Sequence, residues 1–278
     1  MKNLIIGGSS KIGRNLNLNS DKFDVTYYKN KISKGILVNI KDRLSNQLNL
    51  DKYSTVIILS SITDPRICQE NRTHSENINV KYTKNLVNEC IDNKKKIIFF
   101  SSDYIFDGKK GNYSENDYPN PINLYGEQKL KIENYIKSQS NNYTILRISK
   151  TFFQDFKTDC FLKNIVKKIK EPGNSINCIE KQIFSPIFVK DIADVLKKVV
   201  NSNIKILNVG GPDVFDRKDI INLVAKKLNK KKKILILKNK KIENDSKFNW
   251  PQDVSLSISK LKKIKKSFTS LNKIINSV

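Results

Sequence analysis

Four short, unbroken apolar runs in the first 150 residues constrain this chain more than any other feature. They are "NLIIGG" (Asn3–Gly8), "STVIILSS" (Ser54–Ser61), "KKIIFFSS" (Lys95–Ser102) and "YTILRIS" (Tyr143–Ser149). A strand with water on one face alternates apolar and polar residues, whereas one buried on both faces reads as a continuous apolar stretch. Segments with apolar residues at helical spacing lie between the runs, most clearly "SENINVKYTKNLVNEC" (Ser75–Cys90). Further strands are expected at Phe23–Tyr28 and Gly35–Ile40. Repeated strand–helix units of this kind predict an α/β fold whose parallel sheet is covered on both faces.

Beyond Lys150 the pattern loosens. Helices are expected at Cys160–Lys170, Val189–Val200, Arg217–Leu228 and Leu271–Val278, and strands at Lys205–Val209 and Lys233–Leu237. The 278 residues suffice for a nucleotide-binding domain with a smaller appendage. No stretch approaches the ~20 apolar residues of a membrane span, and no secretory signal is evident, so a cytoplasmic protein with no membrane partner is expected. Cys68, Cys90, Cys160 and Cys178 are too scattered for a metal site or a disulfide framework, and His74 is the sole histidine. No metal is expected. The net charge of +25 suggests nucleic acid at first sight, but only 6 of the 52 basic residues are arginine and the lysines run along the whole chain. Solvated surface explains them better than a nucleic-acid partner. The positive field would still draw in anionic ligands.

Two stretches carry chemistry. "IIGGSSKIGRNL" leads from a strand through a Gly-rich turn into a helix, the setting in which backbone amides meet a pyrophosphate. Gly7, Ser9, Ser10, Lys11, Ile12 and Gly13 are the expected cofactor contacts there, with Ser10 where the fingerprint has its middle glycine. Ser60 and Ser61, the last two residues of the run at 54–61, are expected on the same cofactor. No acidic residue ends the second strand, and Lys29 and Lys31 follow it; this favours NADP(H), with NAD(H) as the alternative. In "LYGEQKLKIENYI" Tyr125 and Lys129 are four apart and share a helix face. A lysine so placed is expected to lower the phenol's pKa, which suits proton transfer to a substrate oxygen.

The stretch "FFSSDYIFDG…NPINLYGEQK" resembles the extended short-chain dehydrogenase/reductases, and within them the dTDP-4-dehydrorhamnose reductase family, with its patterns S-T-D-Y-V-F-D-G and N-P-x-N-x-Y-G-x-x-K. "ENINVKYTKNL", with Asn79 at the family asparagine, "KQIFSPIFVKDIADVL", "LNVGGPDVFDRKDI" and "WPQDVSLSISKL" extend the resemblance, the last to the tail R-P-x-x-S-x-L-x-x-x-K-L. It implies a Rossmann-type doubly wound sheet over residues 1–150 and a smaller, mainly substrate-binding domain over 151–278, some of whose segments return to the first. It also implies a nucleotide-sugar substrate, and it leaves a homodimer open. In the implied mechanism Ser102 binds the C4 carbonyl oxygen and Tyr125 protonates it. Lys129 lowers the Tyr125 pKa and holds the nicotinamide ribose. Asp103, Tyr104 and Lys150 would complete the substrate side.

The departures are specific. "LSSI" (Leu59–Ile62) replaces the family's N-A-A-A, and Lys150 replaces the tryptophan after R-x-S that would stack on the substrate. Trp250, the sole tryptophan, lies in the tail. The alternatives are an epimerase or dehydratase of the same superfamily and a non-catalytic regulatory subunit like that of methionine adenosyltransferase.

Overall fold

The computed structural model describes residues 1–16, 18, 21–154, 161–173, 175–237 and 249–276. The expectations that touch Cys160 and residues 277–278 lie outside these. The first half runs β1 (Lys2–Ile6), α1 (Lys11–Asn15), β2 (Phe23–Tyr27), β3 (Ile36–Leu37), β4 (Tyr53–Ile58), α2 (Pro65–Glu70), α3 (Arg72–Glu76), α4 (Thr83–Asp92), β5 (Lys96–Ser102), α5 (Leu124–Gln139) and β6 (Tyr143–Ile148). The rest comprises β7 (Thr151–Phe152), α6 (Phe161–Lys170), β8 (Ser175–Ile179), β9 (Ile183–Phe184), β10 (Ile187–Phe188), α7 (Val189–Val199), β11 (Ile206–Val209), β12 (Phe215–Asp216), α8 (Arg217–Lys227), β13 (Lys233–Leu237), α9 (Ser259–Ile264) and α10 (Leu271–Ile275).

Seven strands form one sheet in the order β11-β6-β5-β4-β1-β2-β3, and every pairing in it is parallel. The apolar runs explain its two-sided burial. Leu4, Ile6, Val56, Ile58, Ile97, Phe99 and Ile145 join a core with Leu86 and Val87 of α4 and Ile132 and Ile136 of α5. The alternate residues Ile5, Ile57, Ile98, Phe100 and Leu146 join the other core, with Ile192, Val195 and Leu196 of α7. Successive strand side chains point to opposite faces, so a continuous apolar run feeds two cores at once. Each fully buried Ile or Leu contributes roughly 1.5–3 kcal/mol.

The strand expected at Gly35–Ile40 is only two residues long. Gln47 explains the shortening: its amide nitrogen donates to the Asn39 carbonyl (3.0 Å) and its amide oxygen accepts from the Asn39 N–H (2.7 Å). A side-chain amide thus satisfies the backbone where a strand neighbour would. The helix expected at Ser75–Cys90 is continuous from Arg72 to Asp92, but Asn77–Tyr82 within it is a π-helix. Such segments are rare and concentrate at functional sites.

The second half adds β11 to the large sheet beside β6 and builds a smaller lobe in which β8 pairs in parallel with β13. Leu162, Ile165, Val166 and Ile169 of α6 are buried at the three-and-four spacing of one helix face. Among the described residues no helix is long and apolar enough to cross a membrane, and no group of three His, Cys, Asp or Glu residues could hold a metal ion. Cys68, Cys90 and Cys178 are buried free thiols, and His74 is exposed on α3.

Candidate functional site

The chain reverses its direction of winding between β1 and β4, and ligands of open α/β sheets bind beyond the strand ends at such a point. Gly7 leaves β1 with φ +87°, and a Cβ there would lie 2.7 Å from the Ser60 backbone nitrogen, so only glycine lets the two loops close on each other. Ser10 N-caps α1: its Oγ accepts from the Gly13 N–H at 3.1 Å, which leaves its own proton to donate. Ser9, Lys11 and Ile12 complete this turn, and Arg14, on α1, donates from Nε to the Ser9 carbonyl at 2.9 Å. Lys29 and Lys31 are exposed just beyond β2, one strand over from the turn.

Across the switch point, Ser60 Oγ is buried with no hydrogen-bond partner among the described residues. Ser61 Oγ donates to Asn79 Oδ1 (2.9 Å), which also accepts from the Ile62 N–H (2.8 Å). Asn79 Nδ2 donates to the Ile62 carbonyl (3.0 Å) and to Gln128 Oε1 (2.8 Å). Asn79 lies in the π-helix and so ties the loop after β4 to α5, the helix that carries Tyr125 and Lys129. A glycine-lined turn, an unpartnered buried hydroxyl and a buried lysine converge here, and these groups fit a dinucleotide.

The carboxyl end of β5 delivers Ser102 and Asp103. Ser102 Oγ donates to Asp103 Oδ1 at 3.0 Å and accepts from the Tyr104 N–H at 3.2 Å. The Asn123 side chain caps α5 by accepting from the Gly126 N–H at 3.0 Å. A Cβ on Gly126 would come 2.1 Å from the Tyr104 carbonyl oxygen, so this glycine lets α5 press its first turn against the Ser102–Tyr104 backbone. Tyr125 and Lys129 are both buried and share one face of α5, as the four-residue spacing predicts of the face, with Nζ 5.8 Å from the phenol ring centroid.

The expected effect of Lys129 on Tyr125 is overturned. Burial raises the Tyr125 pKa above its ordinary value; the Ser102 hydrogen bond opposes this, and the charge of Asp103 adds to it. Lys129 is itself lowered to about 8 by burial, and its ammonium donates to the Phe100 carbonyl at 2.9 Å. Desolvation is the leading cause for both groups. Burial likewise raises Asp103 to about 6, against the pull of Lys150 and Ser102. Asp103 Oδ2 and the neighbouring Ser149 Oγ are both buried without a closed hydrogen bond.

Lys150 Nζ donates to the Tyr104 hydroxyl at 3.3 Å and sits 5.2 Å from that ring's centroid. Tyr104 meets Tyr125 edge to face, at 6.1 Å between centroids, and meets Trp250 in the same way at 6.0 Å. Trp250 therefore belongs to the site and not to a remote tail. Arg217, at the start of α8, is near enough to lower the Tyr104 pKa, and its Nε is buried without a partner. Neither residue could be placed from sequence; the "W-P" opening a tail that meets the motif at Pro251, Leu256, Lys260 and Leu261 was the signal for Trp250.

The profile of the RmlD substrate binding domain family matches residues 1–274. Methionine adenosyltransferase 2 subunit beta of Bos taurus is 30% identical over 136 residues, 49% of this chain and 41% of that protein. A dTDP-4-dehydrorhamnose reductase of Aggregatibacter actinomycetemcomitans is 28% identical over 160 residues, 57% of this chain and 53% of that protein. The chain thus spans about half the length of the curated relatives it matches. The crystal structure of a hypothetical dTDP-4-dehydrorhamnose reductase from Sulfolobus tokodaii superposes with a TM-score of 0.84 at 25% identity, covering 99% of both chains. The Bacillus anthracis dTDP-4-dehydrorhamnose reductase crystallised with NADP shares the fold, with a TM-score of 0.81 at 21% identity, covering 100% of this chain and 97% of that one. With its parallel Rossmann-type sheet and a match that runs almost end to end, the chain belongs to the RmlD substrate binding domain family.

Proposed function

We propose that this chain is an NADPH-dependent reductase of the 4-keto group of a nucleotide-linked deoxysugar, serving cell-surface polysaccharide synthesis. The observation behind the reading is the buried group of Ser102, Tyr125 and Lys129 beside the unpartnered Ser60 hydroxyl. When bound, the nicotinamide supplies the hydride. Gly7, Ser9, Ser10, Lys11, Ile12, Gly13, Ser60, Ser61 and Lys129 hold the dinucleotide, and Lys29 meets a ribose 2′-phosphate. Ser102 donates a hydrogen bond to the keto oxygen. Tyr125, protonated at neutral pH as a phenol ordinarily is, gives that oxygen its proton. Lys150 stands where the family has its stacking tryptophan, so dTDP-4-dehydrorhamnose is expected to be a poor substrate beside another 4-keto sugar nucleotide.

The test is NADPH consumption with dTDP-, UDP-, GDP- and CDP-linked 4-keto sugars. Stoichiometric loss of NADPH with one of them is expected. Turnover without net loss would instead mark an epimerase or dehydratase. A second reading, a non-catalytic subunit, draws on the relatives named methionine adenosyltransferase 2 subunit beta and on the bulky Leu59–Ile62 loop. NADPH binding without turnover of any keto sugar would favour it.

A further inference from the structure

Two departures from the family pattern, 100 residues apart in sequence, meet on one side chain. Where the pattern has tryptophan after R-x-S, this chain has Lys150; where the tail has arginine before proline, it has Trp250 before Pro251. One change replaces an aromatic ring with a cation, and the other replaces a cation with an aromatic ring. In the fold both residues contact Tyr104: Lys150 Nζ lies 3.3 Å from its hydroxyl, and the Trp250 ring meets its ring edge-on, 86° between planes. Tyr104 in turn lies against Tyr125. Trp250 is not on a loose tail. Asn123 Nδ2 donates to the Asn249 carbonyl (3.3 Å), and the Asp253 N–H donates to the Gly108 carbonyl (2.9 Å). A Cβ on Gly108 would strike the Gln252 nitrogen at 2.5 Å, so the 108 turn and the segment after Trp250 are closely fitted.

We infer that Lys150 and Trp250 are a reciprocal exchange, so that Trp250 supplies the aromatic face for the substrate's sugar ring and Lys150 supplies the cation for an oxyanion of the same substrate. The inference rests on the nucleotide-sugar reading above. Lys150 donates to a neutral phenol while its charge also acts on the nearby Asp103 carboxyl, so a ligand oxyanion would be a second anionic partner. A pyranose stacks on an indole through its C–H face, and an ammonium over aromatic rings gains from their quadrupoles. The oxyanion is a phosphate of the nucleotide or a carboxylate on the sugar.

The experiment is calorimetric titration with glucose and glucuronic acid, each linked to UDP and to dTDP. The proteins are the wild type, Lys150→Trp, Trp250→Arg and the double exchange. Each single change is expected to weaken binding about tenfold, and the double to return within about threefold of wild type, the coupling expected of side chains that share one partner. Weakening of all ligands by Lys150→Trp identifies the phosphate as the oxyanion; weakening of the glucuronic acid conjugates alone identifies the carboxylate. Additive losses in the double variant, or unchanged affinity in the singles, overturn the exchange. Should the double variant not fold, Trp250→Leu decides: near wild-type affinity overturns the stacking role, and a loss that Trp250→Phe does not show supports it. Failure of the wild type to bind any of the four ligands would instead overturn the nucleotide-sugar reading on which the exchange depends.

Discussion

Two buried polar clusters lie within two residues of each other at the carboxyl ends of β5 and β6. In the first, the Ser101 hydroxyl donates to Glu133 Oε1 (2.6 Å), Arg147 reaches both Glu133 oxygens (3.2 and 2.9 Å), and Arg147 Nη1 donates to the Glu115 carbonyl (3.2 Å). Both charged side chains are almost wholly buried, at 0% and 1% exposure, and their charges cancel. In the second, at the carboxyl ends of the same two strands, Ser102, Asp103 and Ser149 are also buried, but Asp103 Oδ2 and Ser149 Oγ have no closed hydrogen bond. Burial raises the Asp103 pKa, and Lys129, nearby on α5, is lowered by the same cause. Unmet polar groups in a low-dielectric interior are costly. Similar burial with opposite satisfaction is the contrast on which the proposed ligand-binding role of the second cluster rests.

The sharpest way to break this contrast is to remove one partner from the satisfied cluster. Arg147→Met removes the buried ion-pair partner of Glu133 and leaves it only the Ser101 hydroxyl and the partly exposed Lys137 (3.4 Å), and should cost up to roughly 3–5 kcal/mol in urea unfolding. Arg147→Met with Glu133→Leu should recover most of that loss. If the single variant is as stable as wild type, the first cluster is not structural.

Lys129→Ala should lose turnover and NADPH affinity together, about tenfold or more in each, as expected for a group that both orders the cofactor and supports the proton donor. In the wild type, NADPH affinity should fall as pH rises through about 8, where Lys129 loses its proton. A flat fluorescence-titration profile across that range would separate Lys129 from the cofactor.

Asp103 gives a smaller effect, visible in stability. Its carboxyl titrates near 6 in the fold against 3.8 in an ordinary setting. Between these values the folded chain binds more protons than the unfolded one, so this group makes stability fall as pH rises from about 4 to 6. Asp103→Asn should therefore raise Tm by a few degrees at pH 8 and leave it almost unchanged at pH 4. An equal shift at both pH values would rule out the buried carboxylate as the cause.

The smallest effect is expected at Lys29, which is exposed and screened by solvent. Lys29→Ala should lower the NADPH-to-NADH affinity ratio by less than about tenfold, in keeping with the ~1 kcal/mol ceiling of surface ion pairs. An unchanged ratio would remove Lys29 from cofactor selection.

The contrast between the two clusters also marks what could be read from sequence. Ile5, Ile57 and Ile98 announce a sheet covered on both faces, because a strand's period of two is local. The shared face of Tyr125 and Lys129 is local too, set by helical spacing. The direction of the Tyr125 pKa shift was not legible, because it depends on burial by residues distant in the chain. The π-helix around Asn79 reflects ties to Ile62 and Gln128, 17 and 49 residues away. Trp250 reaches Tyr104 only after the whole second half has folded back on the sheet. The cut-short β3 has the same origin, since Gln47 satisfies Asn39 from outside the strand.

The central claim is that the second cluster performs proton transfer, and Tyr125→Phe tests it most directly. The change removes one oxygen from a buried ring and leaves the edge-on contact with Tyr104. With the preferred keto sugar nucleotide and saturating NADPH, kcat should fall by roughly two or more orders of magnitude, the span of general acid catalysis, while NADPH affinity and Tm stay near wild type. Near-normal kcat in Tyr125→Phe would contradict the account and leave Tyr125 a packing residue of α5.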